Sequence, residues 1–267
     1  MIIVRLTTEK REIHAFLQRD PVYAAYAIGD LEDAMFGDAT WYLAEEDGVA
    51  RGLVLLYRGL EPPILLTMGE SAAVAAALAA MPLPGRIYMA AQCEHLPLIE
   101  RVYDFSADRV RPMVRMTVQP DAFQPAERRL QDGLLRRLNA DDLPAIEALY
   151  SCGGAFSPDA FHPRQVSDGV FYGVAASGAL LSVAGTHLIA PNWGVAAVGN
   201  VYTDPAARGQ GLARLVTSAV TEEMLKRGVQ VVLNVDQANA AAIHIYETLG
   251  FRTHCPYVEG IGRLVNW

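Results

Sequence analysis

The segment Val201–Ala213 reads VYTDPAARGQGLA and carries the clearest structural signal in the chain. An apolar run stops at Pro205, the glycines Gly209 and Gly211 follow, and a helical apolar periodicity begins at Leu212. This pattern predicts a strand, a glycine-containing loop and the start of a helix. Glycine lets a backbone approach a ligand closely, and amide hydrogens at a helix start point outward with the positive end of the helix dipole behind them. The segment therefore has the physical properties of a diphosphate-binding loop.

Other phosphate-binding loops do not fit this spacing. No Gly-Lys-Ser/Thr follows, as a Walker loop requires, and only Gly209 and Gly211 are present where a dinucleotide fingerprint needs three glycines. Arg208 and Arg214 add fixed positive charge beside the loop of an otherwise acidic chain. The alternative at this point is an ordinary strand-to-helix turn that contains glycine and binds no ligand.

A second segment, Asn239–Phe251, favours the ligand-binding interpretation. It reads NAAAIHIYETLGF and follows the apolar run Val229–Val235. Its spacing, N-x-x-A-x-x-x-Y-x-x-x-G-F, predicts a helix that Asn239 caps and Gly250 ends. Together with R-x-x-G-x-A at positions 208–213, this motif resembles the GNAT superfamily of N-acetyltransferases. The close resemblance covers residues 194–256, and the order of elements extends it to residue 133.

The resemblance implies acetyl-coenzyme A as co-substrate and gives roles to particular residues. The backbone of residues 201–203 would pair with the pantetheine arm as if it were an added strand. Amides from Gly209 to Ala213 would hold the diphosphate, and Asn239 would contact the pantetheine or phosphate region while it also caps its helix. The implied coenzyme A site comprises Val201, Tyr202, Thr203, Arg208, Gly209, Gln210, Gly211, Leu212, Ala213, Arg214, Asn239 and Tyr246.

Tyr246 is the candidate general acid. Acyl transfer expels a thiolate, and a phenol with a pKa of about 10 can donate a proton to it. The alternative is a core aromatic residue with its hydroxyl at the rim. Cys152 and Cys255 have no His and acid at a recognisable spacing, so direct transfer from coenzyme A is preferred to a covalent acyl-enzyme.

The general base is less evident. Many members of the superfamily carry a Glu where this chain has Gly199-Asn200. His187, on the preceding predicted strand, is the best-placed titrating side chain, and a hydrogen-bonded core histidine is the alternative. A water chain could also carry the proton. His244 and Glu247 are predicted on the outer face of their helix.

Composition restricts the partners. The net charge of −8 argues against nucleic acid and anionic membranes and is compatible with a cationic amine. The three cysteines are odd in number and widely spaced, which indicates neither a disulfide framework nor a metal site and favours the cytoplasm. Residues 169–203 contain no Asp, Glu, Lys or Arg, but turn signals at Ser177-Gly178 and Pro191–Gly194 cut this run into strand lengths. Buried antiparallel strands are therefore expected, not a membrane span.

The fold class is predicted as α+β, the GNAT fold: a mixed, largely antiparallel sheet flanked by helices. The chain is divided into a degenerate GNAT-like domain 1–118, a linker 119–132 and a catalytic domain 133–267. The predicted elements of the catalytic domain are Leu134–Leu138, a helix after Asn139, a helical or irregular Ser157–Val166, strands at Phe171–Ala176, Leu180–Ile189 and Gly194–Thr203, helix Leu212–Arg227, strand Val229–Val235, helix Asn239–Leu249 and a strand pair over Phe251–Val265.

The N-terminal half repeats this order with weaker signals, including helices over Pro21–Leu31 and Cys93–Tyr103. Gly69 is followed by Glu70 with no Arg to offset its charge, and Glu100 stands where Tyr246 stands in the other half. This half is therefore expected to have lost cofactor binding and to wall an acceptor pocket, although ordinary packing would equally explain its residues. The suggested lining residues are Tyr23, Tyr26, Asp30, Asp33 and Trp41.

The predicted activity is transfer of an acetyl group to a primary amine of a small molecule or peptide. A non-catalytic acyl-coenzyme A-binding module is one alternative, and a transferase with a longer acyl or an aminoacyl donor is another. The sequence leaves the acceptor and the oligomeric state open, because acceptor loops vary freely on a common scaffold.

Overall fold

The computed structural model describes residues 1–127, 133–158 and 161–265. Contacts between Cα atoms divide the chain into two compact units. The first combines residues 1–115 with the segment that starts at Cys255, and the second is Met116–His254. The end of the chain, assigned to the catalytic domain from sequence, thus packs with the first unit. The division into two GNAT-like domains stays a prediction, and part of the predicted linker lies outside the described residues.

The first unit carries a sheet in the order β1-β2-β3-β4-β5-β13, in which only β4 and β5 are parallel. The short strand β6 also pairs with β13. The elements, in chain order, are β1 (Ile2–Thr7), α1 (Lys10–Leu17), α2 (Ala25–Gly29), α3 (Asp33–Phe36), β2 (Ala39–Glu46), β3 (Val49–Tyr57), β4 (Ile64–Gly69), α4 (Ser71–Ala80), β5 (Arg86–Ala91), α5 (Leu96–Ile99), β6 (Tyr103–Asp104) and β7 (Arg111–Val118), which crosses the division between units.

The second unit repeats the arrangement with strand order β8-β9-β10-β11-β12, in which only β11 and β12 are parallel. In both units a helix follows the fourth strand and leads to the parallel fifth strand. The elements are β8 (Leu134–Leu138), α6 (Leu143–Tyr150), α7 (Arg164–Asp168), β9 (Phe171–Ala176), β10 (Ala179–Ala190), β11 (Val195–Thr203), α8 (Leu212–Lys226), β12 (Gln230–Asp236) and α9 (Ala240–Thr248), and β13 (Arg252–Leu264) returns to the first unit.

The predicted α+β class and GNAT arrangement are confirmed, and local signals explain why these elements form. The stripe predicted on α8, which includes Leu212, Leu215, Val216 and Ala219, is buried. Asn139 caps the turn before α6: its side chain accepts from the Asp141 amide 2.8 Å away. No helix among the described residues is long and apolar enough to cross a bilayer.

Three predicted elements were wrong in detail. The helix expected over Pro21–Leu31 is regular only at Ala25–Gly29, with turns on either side. Cys93–Tyr103 forms a 3-10 turn and one short helix, because the chain must then turn to place β6 beside β13. The expected strand pair over Phe251–Val265 is one strand, which pairs with β5 and β6. Pro256 suggests a break in the sequence, but its missing N–H is tolerated outside the ladder with β5.

Candidate functional site

The parallel strands β11 and β12 are paired over only part of their length. The pairing runs from Val195 and Gln230 to Val198 and Leu233, whereas β11 continues to Thr203 and β12 to Asp236. Beyond Val198 the two strands diverge and leave an opening between them. Main-chain groups along such an opening can pair with an extended amide chain, as a strand edge does.

The divergence starts at a distorted residue. Asn200 has a φ of 53°, a left-handed conformation that among residues with side chains is found mostly for Asn and Asp. The β10–β11 register also shifts between Val183 and Gly185, close to this position. The hydroxyl of Tyr150, on α6, donates to the Asn200 carbonyl over 2.8 Å. This bulge bends β11, which explains why its pairing with β12 ends at Val198.

The glycine loop lies at the open end of the divergence. Gly209 and Gly211 have φ values of 78° and 76°, and the space that a Cβ would fill at either residue is empty. Gly211 is the N-cap of α8 and has no side chain to satisfy the first amides of that helix. Gln210 lies in the loop between the two glycines, and Ala213 lies in the first turn of α8. Leu212 is buried in the core.

Two guanidinium groups flank the loop. Arg208 is exposed, its Nε donates to the Thr203 carbonyl over 3.3 Å, and its guanidinium lies 5.9 Å from the ring centroid of Tyr202. Arg214 donates from Nε to the hydroxyl of Thr248 over 3.2 Å. These fixed charges and the N-terminal end of α8 together favour an anion at the loop.

Asn239 caps α9: its Oδ1 accepts from the Ala242 amide over 3.1 Å, as the sequence analysis predicted. Its contact with the pantetheine or phosphate region stays a prediction. The two residues predicted on the outer face of α9, His244 and Glu247, are both exposed.

Tyr246 lies on the buried side of α9, with its ring centroid 6.1 Å from that of Phe251. Burial raises the pKa of the Tyr246 phenol to about 12, so the hydroxyl keeps its proton throughout the physiological range. Within residues 1–127, 133–158 and 161–265 the hydroxyl has no hydrogen-bond partner. The phenol is therefore a protonated donor that is not committed to another group of the described chain.

His187, the candidate base, packs against the start of the divergence. A Cβ built on Gly199 would collide with the His187 ring. The Nε2 atom of His187 faces the Asn200 amide at 3.3 Å and accepts from it. A general base needs a lone pair that is available to the proton, and this contact engages the one on Nε2. The base role of His187 stays a prediction, and this geometry argues against it.

Sequence reasoning did not identify Asn200 and Gln165 as a pair. Asn200 Nδ2 donates to Gln165 Oε1 over 3.0 Å, although the two residues lie on different elements. The available signal was the Gly-Asn dipeptide inside a predicted strand, which is typical of a bulge. The partner could not be found in this way because α7 approaches β11 only in the folded chain.

The corresponding place in the first unit is closed by its own side chains. The pairing of β4 with β5 ends at Thr67 and Ala91. The Gly69 amide then donates to Gln92 Oε1 over 3.0 Å, and the Gly69 carbonyl accepts from Nε2 of the buried His95, also over 3.0 Å. Nδ1 of His95 accepts from the Thr67 hydroxyl over 2.9 Å. These contacts occupy main-chain groups that an added strand would need.

One expectation about this unit was wrong. Glu70 was predicted to stand without an Arg, but Arg51 lies 3.2 Å from it. The partner comes from β3, which pairs with β4 and is distant in sequence from Glu70.

The five suggested pocket residues have different surroundings. Tyr23 and Tyr26 lie against the guanidinium of the buried Arg115, Asp33 is exposed and paired with Lys10, and the Trp41 ring stacks on Phe36. Asp30 is half-buried, and burial raises the pKa of its carboxyl to about 8. That these five residues line an acceptor pocket stays a prediction. Their different surroundings do not support it.

A family model described as FR47-like protein matches residues 173–258, which span the divergence, the loop and α9. The chain is also 31% identical over 132 residues to the [Ribosomal protein bS18]-alanine N-acetyltransferase of Escherichia coli K12, covering 87% of that protein and 46% of this chain. The chain belongs to the GNAT superfamily of N-acetyltransferases.

Two further comparisons describe how far the similarity reaches. The mycothiol acetyltransferase of Thermobispora bispora is 48% identical over 58 residues, which is 20% of each protein, so the match spans about a fifth of that relative. A tandem GNAT protein from the clavulanic acid biosynthesis pathway superposes with a TM-score of 0.60 at 12% identity, covering 100% of this chain and 99% of that one. The last comparison concerns the fold alone.

Proposed function

We propose that this protein transfers an acetyl group from acetyl-coenzyme A to a primary amine by direct attack of the amine on the thioester. The observation that carries the proposal is the divergence of β11 from β12 beyond Val198, with a glycine loop and helix start at its open end. An extended amide arm that ends in a diphosphate matches this arrangement in shape and charge.

The positions of the glycine loop and of β11 fix the orientation in which the donor would bind. Its diphosphate would bind the amides from Gly209 to Ala213, with Arg208 and Arg214 beside it. The pantetheine arm would pair with Val201–Thr203 and run back towards Val198. This direction brings the thioester to the narrow end of the opening, where the strands separate.

Tyr246 would assist departure of the thiolate. Its pKa of about 12 lies well above the value of about 8.5 that is typical of a thiol, so full proton transfer to the sulfur is uphill in the free protein. A hydrogen bond from the phenol would still stabilise the negative charge that develops on sulfur as the thiolate leaves.

The names of the relatives support an amine acceptor and leave its identity open. One relative is named for an alanine of the ribosomal protein bS18, and another is named for mycothiol. A small-molecule amine and a peptide amine are both consistent with these names. The proposal for this chain is therefore limited to the class of primary amines.

A second candidate is an acyl-coenzyme A-binding module without catalysis. It is favoured by Asn200, which stands where many superfamily members have a Glu, and by the engaged Nε2 of His187. Thiol release from acetyl-coenzyme A separates the two. The amines tested should include alaninamide, glucosamine, N-α-acetyl-lysine amide and butylamine. Amine-dependent release supports the transferase, and binding of acetyl-coenzyme A with no release above the amine-free rate supports the module.

Substitution Tyr246→Phe tests the phenol directly. We expect kcat to fall about a hundredfold, in the range typical of a lost hydrogen-bond donor to charge that develops in the transition state, while the Kd of acetyl-coenzyme A stays within about twofold. Stopped assays of thiol release and isothermal calorimetry measure the two quantities. An unchanged kcat would remove Tyr246 from the chemical step, and His244→Gln, on the exposed face of the same helix, serves as control.

A further inference from the structure

Asn200 has a buried hydrogen-bond acceptor without a partner. The residue is only 4% exposed, and its Oδ1 has no hydrogen bond within the part of the chain that the structure describes. Buried polar atoms are nearly always paired, because an unpaired one loses its bond to water and gains nothing in return. This atom belongs to a residue just past the end of the β11–β12 pairing, where the proposal puts the reacting groups, and a ligand group is therefore a candidate for its missing partner.

The hydrogen bonds of Gln165 determine which end of the Asn200 side-chain amide is the oxygen. Gln165 Nε2 donates to the His187 carbonyl over 3.3 Å, and Gln165 Oε1 accepts from the His162 amide over 3.0 Å. Both contacts require the same orientation of the Gln165 amide, so Oε1 must be the atom that faces Asn200. Asn200 must therefore present its NH₂ group to Gln165, at 3.0 Å, which leaves its oxygen as the unpaired atom.

The backbone of Asn200 is also fixed, by its conformation and by two hydrogen bonds. Its backbone has the left-handed conformation that fixes the start of the divergence, its carbonyl accepts from Tyr150, and its amide donates to His187. Asn200 lies two residues past the last β11–β12 pair, at the narrow end of the opening. The acyl group of a donor bound as proposed would reach this same end.

We infer that Oδ1 of Asn200 accepts a hydrogen bond from an N–H of the acceptor amine and so positions its nitrogen for attack on the thioester. This inference rests on the proposed function. One N–H of a neutral amine bonds to Oδ1 while the lone pair faces the carbonyl carbon. The C–N bond forms, the C–S bond breaks with its electron pair going to sulfur, and the proton lost from nitrogen passes through water to the released thiolate.

A carboxamide oxygen binds an N–H but does not take up a proton near neutral pH. The acceptor must therefore reach Asn200 already neutral, which favours α-amines, with a pKa of about 8, over ε-amines at about 10.4. The titratable side chains in contact with Asn200 are those of Tyr150 and His187. Burial raises the pKa of Tyr150, so it stays protonated, and Nε2 of His187 is engaged.

Substitution Asn200→Gly removes the oxygen and keeps the left-handed backbone unstrained. The matched control is Ser177→Gly, because Ser177 has a φ of 50° and lies in the β9–β10 turn. With the most rapidly acetylated of the four amines, we expect kcat/KM for the amine to fall about tenfold in Asn200→Gly, with KM for acetyl-coenzyme A unchanged. The control should keep the activity of the parent protein.

The pH profile of the unmodified protein gives an independent readout that does not depend on folding of a variant. The acid limb of kcat/KM should follow the pKa of each amine and move when the amine is changed. An unchanged amine kcat/KM in Asn200→Gly, or a limb that stays at one pH for amines of different pKa, would overturn the inference. Failure of all four amines with the unmodified protein would instead reject the proposed function.

Discussion

At the residue scale, the loop depends on backbone conformations that only glycine adopts without strain. Gly209 and Gly211 both have φ near 77°, and nothing lies where their Cβ atoms would be, so a substitution is penalised by the backbone and not by a collision. Gly178, in the β9–β10 turn, has a φ of 81° and the same empty surroundings. It therefore reproduces the strain of a loop substitution at a position outside the proposed site.

We expect Gly211→Ala and Gly178→Ala to destabilise the protein equally, by about 1 kcal/mol, as measured by urea denaturation. Only Gly211→Ala should weaken acetyl-coenzyme A binding, by about tenfold in calorimetry, because it turns the first amides of α8. Equal Kd values for the two variants would show that the loop does not hold the donor.

Asp30 should make stability depend on pH. The carboxyl titrates near 3.9 in the unfolded chain and at about 8 in the folded protein. Below pH 4 both states are protonated. Between pH 4 and 8 the unfolded state releases its proton first, so stability falls as pH rises through this window.

Substitution Asp30→Asn removes this effect. Its stabilisation relative to the parent should therefore grow from pH 4 to 8 and reach at least about 1 kcal/mol. Thermal denaturation at several pH values measures it. Asp33→Asn is the control, since Asp33 is exposed and Lys10 holds the pKa of its carboxyl below the usual range. A stabilisation by Asp30→Asn that is the same at pH 5 and pH 8 would contradict this account.

At the scale of elements, β13 is anchored in the first unit by a buried polar network. The guanidinium of Arg115, on β7, is 2% exposed, donates to the Tyr23 carbonyl and lies 4.9 Å from the ring centroid of Tyr257. The hydroxyl of Tyr257 in turn donates to Glu259 over 2.6 Å. A buried charge of this kind is costly once a partner is removed.

We expect Arg115→Leu to lower the free energy of unfolding by about 3 kcal/mol, because it leaves the Tyr23 carbonyl without its donor and removes the cation beside the neighbouring tyrosine rings. Arg111→Leu is the matched control on the same strand. Arg111 lies 3.5 Å from Glu259 but is half-exposed, so its loss should cost less than about 1 kcal/mol. Urea denaturation measures both, and equal costs would show that burial of the Arg115 charge contributes nothing particular.

What could be predicted at this scale depended on whether the signal was local. The starts of α8 and α9 were predicted because the glycine or Asn cap and the apolar stripe of each helix lie close together in the sequence. The pairing of β13 with β5 could not be recognised, because register between strands far apart in sequence leaves no local pattern. The same holds for the Asn200–Gln165 contact and for the Arg51–Glu70 pair, both of which form only when distant elements meet.

At the scale of the whole molecule, the two units repeat one strand order but differ where the parallel strands part. In the second unit the pairing of β11 with β12 stops at Val198 and Leu233, whereas in the first unit Gln92 and His95 bind the main chain of Gly69. Burial lowers the pKa of His95, which keeps its ring neutral and suited to one donated and one accepted hydrogen bond. In the first unit internal hydrogen bonds therefore occupy main-chain groups that correspond in position to those proposed to bind a ligand in the second unit.

Calorimetry should accordingly find one molecule of acetyl-coenzyme A per chain. Gln92→Ala should leave this number and the Kd unchanged, because the contact it removes lies outside the proposed site. Two equivalent sites, or a loss of binding in Gln92→Ala, would contradict the assignment of donor binding to the second unit.

Hydrogen exchange with and without saturating acetyl-coenzyme A tests the central claim most directly, because the claim concerns main-chain amides. The account predicts slower exchange in residues 201–213, along β11 and the glycine loop, and no change in residues 67–73 of the first unit. Unchanged exchange in residues 201–213 at saturation, or protection in residues 67–73 instead, would contradict it.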